Sequence, residues 1–262
     1  MSKNFNFEVR EHIATLTLNR PAKLNAFTNE MLEALVASID ECEQRSDGRV
    51  VILTGTGRGV STGGDVSAMG EEVDNRPHTT KERIYGGVQA FPKRLARFDK
   101  PIIAAVNGLA VGGGMDLALA CDFRTAGQSA RFAETYAKIG LAPGGGGAYF
   151  LPRLVGMGRA LELLWTAEFI DAETAKEIGL VNHVFSNESL MEETRKIAQR
   201  IASMPPLSVR LIKRAAYQSA NTDIETALDL ISSHIAVARA GADHPEAIAA
   251  FKEKRPGNFV GY

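Results

Sequence analysis

The chain has 262 residues, 45% of them hydrophobic, enough to bury the core of one large domain or of a domain with an appendage. Its 30 Lys and Arg against 31 Asp and Glu leave a net charge of -1, so no global field recruits nucleic acid or an anionic membrane, and a polyanionic ligand must be held locally. Cys42 and Cys121 lie far apart without C-x-x-C spacing and read as thiols in a reducing compartment. The N-terminal MSKNFNFEVREH has no apolar run of signal length, so a soluble cytoplasmic protein is expected.

Phe5 to Val9 and Ile13 to Leu18 alternate apolar and polar residues around a polar Arg10-Glu11-His12 turn and predict a hairpin. Thr28 is a candidate N-cap for a helix with an apolar stripe of Met31, Leu32, Leu35, Val36 and Ile39, ending before Asp47-Gly48. Val50 to Thr54 is a continuous apolar, β-branched run of the kind found in strands buried on both faces. The pattern recurs: a Gly-rich loop over 55–64, a helix over about 80–97, a strand at Ile102 to Val106, then a Gly-rich turn and a helix over 112–120. Strand, loop and helix in series predict an α/β fold. From about residue 188 only helices are expected, over 189–203, 207–219, 223–240 and 245–254, with Pro205-Pro206 parting the first two. The chain therefore divides into a core over 1–187 and a helical region over 188–262. The apolar stripes of that region, Leu207, Leu211 and Ile212, then Leu228, Ile231 and Ile235, suit a subunit interface.

Three glycine-rich segments stand out. In Thr54 to Asp65 the spacing Gly55-x-Gly57-x-x-Val60 lacks the third glycine of a dinucleotide fingerprint, and no Gly-Lys-Ser/Thr of a P-loop is present. Asn107 to Asp116 carries Gly112-Gly113-Gly114 after a buried strand and before an apolar helix. Such a start either lets strand and helix pack closely or presents bare backbone N–H groups to an oxyanion. Pro143 is followed by four glycines, Gly144 to Gly147, more than a turn needs, which suggests backbone packed against a pocket. Ser61 lacks a G-x-S-x-G elbow, and the five histidines show no i, i+4 pairing or cysteine cluster, so neither a hydrolase nucleophile nor a metal site is expected. Lys81, Arg83, Lys93, Arg94 and Arg97 read as a solvated basic face, and Asp65 and Asp122 as backbone-bonding carboxylates.

These runs, in this order, resemble the crotonase (enoyl-CoA hydratase/isomerase) superfamily. The resemblance covers Asn19-Arg20-Pro21-Ala22-Lys23-Leu24-Asn25-Ala26, Thr62-Gly63-Gly64-Asp65 in place of A-G-x-D, Asn107-Gly108 through Gly112 to Asp116 and Cys121-Asp122, Ile139-Gly140-Leu141 with Pro143 and Gly146-Gly147, and Phe251 to Pro256. It implies a spiral of repeated ββα units with C-terminal helices that trimerise, as a homotrimer or homohexamer, and an acyl-CoA substrate with no cofactor beyond the coenzyme A it carries. By position, the oxyanion-hole N–H groups fall on Gly64 and Gly113. Coenzyme A would be held around Lys23 and Leu24 and by Thr62, Gly63, Asp65 and Val66, while Phe251 and Lys254 match positions that reach the coenzyme of a neighbouring subunit.

Hydratases of this superfamily use two glutamates around one water, a base for the water and an acid for Cα. Asp116 stands in the first place, one methylene shorter, and is the leading catalytic candidate; Tyr136 stands in the second, with Glu134 two residues earlier. If 134–138 is helical, that offset is a rotation of about 200°, and Glu134 does not simply substitute. Tyr136 is then a neutral donor, a packing residue, or a sign that the second proton travels through water. Gly144 occupies the place of the acid of one isomerase subgroup. The expectation is hydration of an unsaturated acyl-CoA through an enolate, with isomerisation, thioester hydrolysis, decarboxylation or non-catalytic acyl-CoA binding as alternatives.

Overall fold

The computed structural model describes residues 3–65 and 76–262. Strands β1 (Phe5–Arg10) and β2 (Ile13–Leu18) form the expected hairpin, closed by Glu11 and His12 at φ 50 and 65, the pair of left-handed residues that matches a tight turn to strand twist. Thr28 caps α1 (Asn29–Gln44) by accepting from Met31 N. Then β3 (Val50–Gly55) and β4 (Gly59–Ser61) precede α2 (Pro77–Gly86) and α3 (Ala90–Leu95). β5 (Ile102–Val106) and β6 (Leu109–Val111) precede α4 (Gly113–Leu119); β7 (Phe123–Gly127) and β8 (Arg131–Ala133) precede a 3-10 turn (Thr135–Ile139), α5 (Gly147–Val155) and α6 (Met157–Thr166). In each repeat the first strand joins one sheet and the second joins another. The larger sheet runs β1-β2-β3-β5-β7-β10, with β10 (His183–Phe185) at its edge, and is parallel except for β1; the smaller runs β4-β6-β8-β9, with β9 (Ile170–Asp171) antiparallel to β8. This is the spiral of ββα units.

The run at 50–54 is apolar throughout because its sheet is covered on both sides. Val51 and Leu53 face the main core with Met115 and Phe132, while Val50 and Ile52 face a second cluster. That second cluster is closed by Ala198 and Ala202 of α8 (Leu190–Ala202). α8 is a layer on the core sheet, because its small residues seat against Ile13, Ile103 and Ala105. The helix expected over about 80–97 is broken, since Gly86-Gly87 has no side chains to hold it and Gly87 turns to φ -92, ψ -105. Of the five basic residues in that stretch, Arg94 pairs with Asp40 and Glu43 of α1, and Lys93 lies over the Tyr85 ring.

After α7 (Ala172–Glu177) and α8 the chain continues as α9 (Pro206–Ser219), α10 (Ile224–Ala240) and α11 (Asp243–Glu253). α9 is clamped to the core by Asp122, whose carboxylate takes Ile102 N, pairs with Lys213 and accepts from Tyr217 Oη. Both cysteines are free and buried, and burial pushes the Cys42 thiol up to about 11 and the Cys121 thiol up to about 12. No helix among the described residues is long and apolar enough to cross a membrane, and no His/Cys/Asp/Glu group of metal-binding size is found among them.

Candidate active site

The site is built where the two sheets' connecting loops meet the start of α4. Pro21–Lys23 forms one 3-10 turn, and Leu24 and Asn25 follow in left-handed conformation. Asn25 is fully buried: its Nδ2 donates to Thr56 O and Gly59 O, its Oδ1 accepts from Arg20 N, and its carbonyl accepts from Ser61 Oγ. Thr62 N donates to Leu24 O, and Arg20 Nη1 reaches Asp65 Oδ2 at 2.6 Å. Lys23, Leu24, Thr62 and Asp65 are therefore brought together around buried Gly63. Val66, expected beside them, lies outside the described residues. Asn25 carries no role in the sequence motif; an Asn, a residue that tolerates left-handed backbone, at the centre of that motif was the available signal.

Phe27 and Gly64 form a parallel bridge in which Phe27 N donates to Gly63 O and Asp65 N to Phe27 O. Strand alternation then turns the Gly64 N–H away from Phe27. Gly63, at φ 91, touches Gly113: a Cβ there would stand 3.0 Å from Gly113 N, so the bare backbone brings the two loops together. Gly112, at φ 51, donates its N–H to Ala133 O and starts α4. Neither Gly64 N–H nor Gly113 N–H has a hydrogen-bond partner among the described residues. Two adjacent, unsatisfied backbone donors on rigid loops are the arrangement that stabilises an oxyanion.

Asp116 lies one helical turn beyond Gly113 and is 1% exposed. Its Oδ2 accepts from Tyr136 Oη at 2.5 Å and from Gly145 N at 2.9 Å. Burial pushes its pKa up to about 6, a rise limited by the Tyr136 hydroxyl and by the backbone of Gly145 and Gly147. Tyr136 is pushed well above its usual value, by burial first and by Asp116 next, and stays a donor. The glycine run is packed against these acids: a Cβ on Gly145 would stand 2.7 Å from Asp116 Oδ2, and one on Gly147 would stand 2.6 Å from Asp116 Oδ1 and 2.7 Å from Glu134 Oε1.

Glu134 is the residue that the helical-phase argument set aside, and the structure places it beside Asp116. The reason is local geometry: β8 ends at Ala133 and the 3-10 turn begins only at Thr135, so Glu134, at φ -96 and ψ 85, lies between them and outside the turn. Phe132, Ala133 and Glu134 are all buried, and the place of Glu134 directly after a buried strand was the available signal. Burial, then the charge of Asp116, drives the Glu134 pKa far upward. Phe251 lies in the last turn of α11 and Lys254 follows it as a left-handed cap, with Phe251 85% exposed; no hydrogen bond or ion pair joins either to the site residues among the described residues.

Free N–H donors on two touching glycine loops, a buried acid one turn away and a spiral of ββα units define the crotonase class of fold. The chain belongs to the enoyl-CoA hydratase/isomerase family, whose sequence model matches residues 8–261. It is similar to the crotonyl-CoA hydratase of Syntrophomonas wolfei, 38% identical over 260 residues and covering 98% of each chain. It is also similar to the short-chain-enoyl-CoA hydratase of Clostridium acetobutylicum, 40% identical over 255 residues, 96% of this chain and 95% of the relative. The crystal structure of an enoyl-CoA hydratase from Bacillus anthracis matches with a TM-score of 0.94 at 34% identity, covering 99% of this chain and 100% of that one.

Proposed function

We propose that the chain adds water across the α,β double bond of a short-chain 2-enoyl-CoA. The observation that carries this reading is Asp116: a buried carboxylate, its pKa pushed up to about 6, one turn from a Gly113 N–H that has no partner among the described residues. With the thioester oxygen on the N–H groups of Gly64 and Gly113, Asp116 takes the proton of a water whose oxygen bonds to Cβ. The electron pair of the double bond moves through Cα onto the thioester oxygen, where the two donors receive it. Each such donor contributes about 10²–10³ in rate. The coenzyme lies along the surface of Lys23, Leu24, Thr62, Gly63 and Asp65, and the reaction needs no other cofactor.

Hydration of crotonyl-CoA, followed by loss of enone absorbance, tests this; Asp116→Ala is expected to lower kcat by about 10²–10⁴. Unchanged turnover in that variant removes Asp116 from its role. Isomerisation is the second reading, favoured by a single ionised carboxylate able to lift and return one proton; a product with no gain of water supports it. Thioester hydrolysis and decarboxylation through the same donors would show as released coenzyme A and as lost carbon dioxide. Binding without turnover across the acyl-CoA series would mark a non-catalytic binder.

Exposed Ile212, Ile224, Leu228 and Ile235 on α9 and α10 support a homotrimer or homohexamer, and Phe251 and Lys254 then reach a neighbouring subunit's coenzyme. A light-scattering mass of one chain would remove that assembly. Buried free thiols fit a cytoplasmic setting.

A further inference from the structure

Hydration requires a proton at Cα, and nothing assigned so far delivers it. Glu134 is 1% exposed, and neither of its carboxyl oxygens has a hydrogen-bond partner among the described residues. An unsatisfied buried polar group costs about 1–3 kcal/mol, and few native groups are left so. A structural use was within reach, because Glu134 stands at the N-cap of the 135–139 turn, yet its side chain makes no cap bond. No ion pair involves it among the described residues. What it does face is Asp116.

Three features aim it there. The β6–β8 pairing sets Ala133 opposite Val111, and Gly112 N donates to Ala133 O, which seats Glu134 beside the start of α4. Gly147, having no Cβ, leaves a gap in which Glu134 Oε1 and Asp116 Oδ1 each stand within 2.7 Å of the absent carbon. Tyr136 and Gly145 N both occupy Asp116 Oδ2, while Oδ1, beside the Gly147 backbone and facing Glu134, has no hydrogen-bond partner among the described residues. Two carboxyl groups with free oxygens thus face each other across a gap walled by backbone.

We propose that Glu134 is the catalytic acid that protonates Cα, forming with Asp116 a carboxyl pair around the attacking water. This rests on the hydratase reading. One proton resides on the pair, and it resides on Glu134, since Asp116 has two donors to favour its charge and Glu134 has none. In the forward reaction the water oxygen bonds to Cβ and its proton passes to Asp116 Oδ1. The enolate, held by Gly64 and Gly113, then takes the Glu134 proton at Cα and the thioester carbonyl reforms. Glu134 is left ionised and Asp116 protonated, and transfer of that proton across the gap restores the starting state. The groups facing the pair are Tyr136 from the 3-10 turn and the backbone of Gly145 and Gly147 at the start of α5, none of which carries charge at neutral pH. The second carboxyl group has thus moved from the place of Tyr136 to the end of β8, and Tyr136 has become the residue that orients the first.

The test is E134Q, nearly isosteric and unable to donate a carboxyl proton. Expected is a fall in kcat of about 10²–10⁴ with KM little changed, loss of the alkaline limb of the wild-type pH profile, and a parallel loss of exchange of Cα protons of a saturated thioester, butyryl-CoA, into deuterium oxide. A folded E134Q within about two-fold of wild type in hydration and exchange overturns the assignment. If the wild type hydrates no enoyl-CoA, the hydratase reading fails by itself. The exchange reaction, which needs enolate formation but no hydration, then still decides Glu134: exchange surviving in E134Q overturns it. Should E134Q not fold, the wild-type profile decides, and a rate that stays level as pH climbs to about 10 and beyond overturns the proposal.

Discussion

At the scale of single residues, the site separates two carboxyl groups by what each can accept. Asp116 takes hydrogen bonds from Tyr136 and Gly145, and Glu134 takes none, so one ionises and the other keeps its proton although both are buried. The same logic assigns Tyr136 a measurable effect. Its hydroxyl lowers the Asp116 pKa, so Tyr136→Phe leaves burial less opposed and raises it. The acid limb of kcat/KM is expected to move to higher pH in that variant, with most of the activity retained above the limb; an unmoved limb would show that the hydroxyl does not tune the base. The burial of Glu134 was legible from its place directly after the apolar run Phe132-Ala133. It was obscured by assuming a helix through 134–138, where the turn in fact starts one residue later.

At the scale of elements, the oxyanion donors depend on loops that have no regular ladder of their own. Arg20 and Asn25 hold the 20–27 segment against 56–65, and the short Phe27–Gly64 bridge sets the direction of the Gly64 N–H. Arg20→Ala removes the ion pair to Asp65 and the bond to Ala26 O. Small displacements of a positioned group are costly, so kcat/KM is expected to drop by about 10–100-fold, with the circular dichroism spectrum unchanged. Activity at the wild-type level would mean that Asn25 and the bridge hold the loop without Arg20. The glycine runs were legible as close backbone approach, yet the partners of each were not: Gly112 to Gly114 meet Ala133, Phe27 and Ser61, residues distant in sequence and brought there by β4–β6–β8 pairing. The strands at 50–55 and 102–106 and the helices of the C-terminal region follow from periodicity and proline breaks. The assignment of α8 to the core sheet does not, because its apolar stripe reads the same whichever partner it covers.

At the scale of the molecule, one large sheet covered on both faces supplies the rigidity on which the site draws, and α9 is fastened to it through Asp122, Lys213 and Tyr217. The buried Glu134 works against that rigidity. In the unfolded chain it ionises at the ordinary 4.5, while in the folded chain it retains its proton far above that, so the native state binds a proton that the unfolded state releases. A raised folded pKa contributes stability only below the unfolded value, and the wild type therefore loses stability as pH rises through 4.5 toward the folded value. E134Q has no such dependence, and its amide can donate to Asp116. Its melting temperature is expected to exceed that of the wild type, by a margin that widens between about pH 5 and pH 9; a constant margin would show that Glu134 is not protonated in the folded state. The pair that makes water attack possible thus keeps the fold below its attainable thermal tolerance, and heat resistance in this chain is open to increase at the expense of turnover.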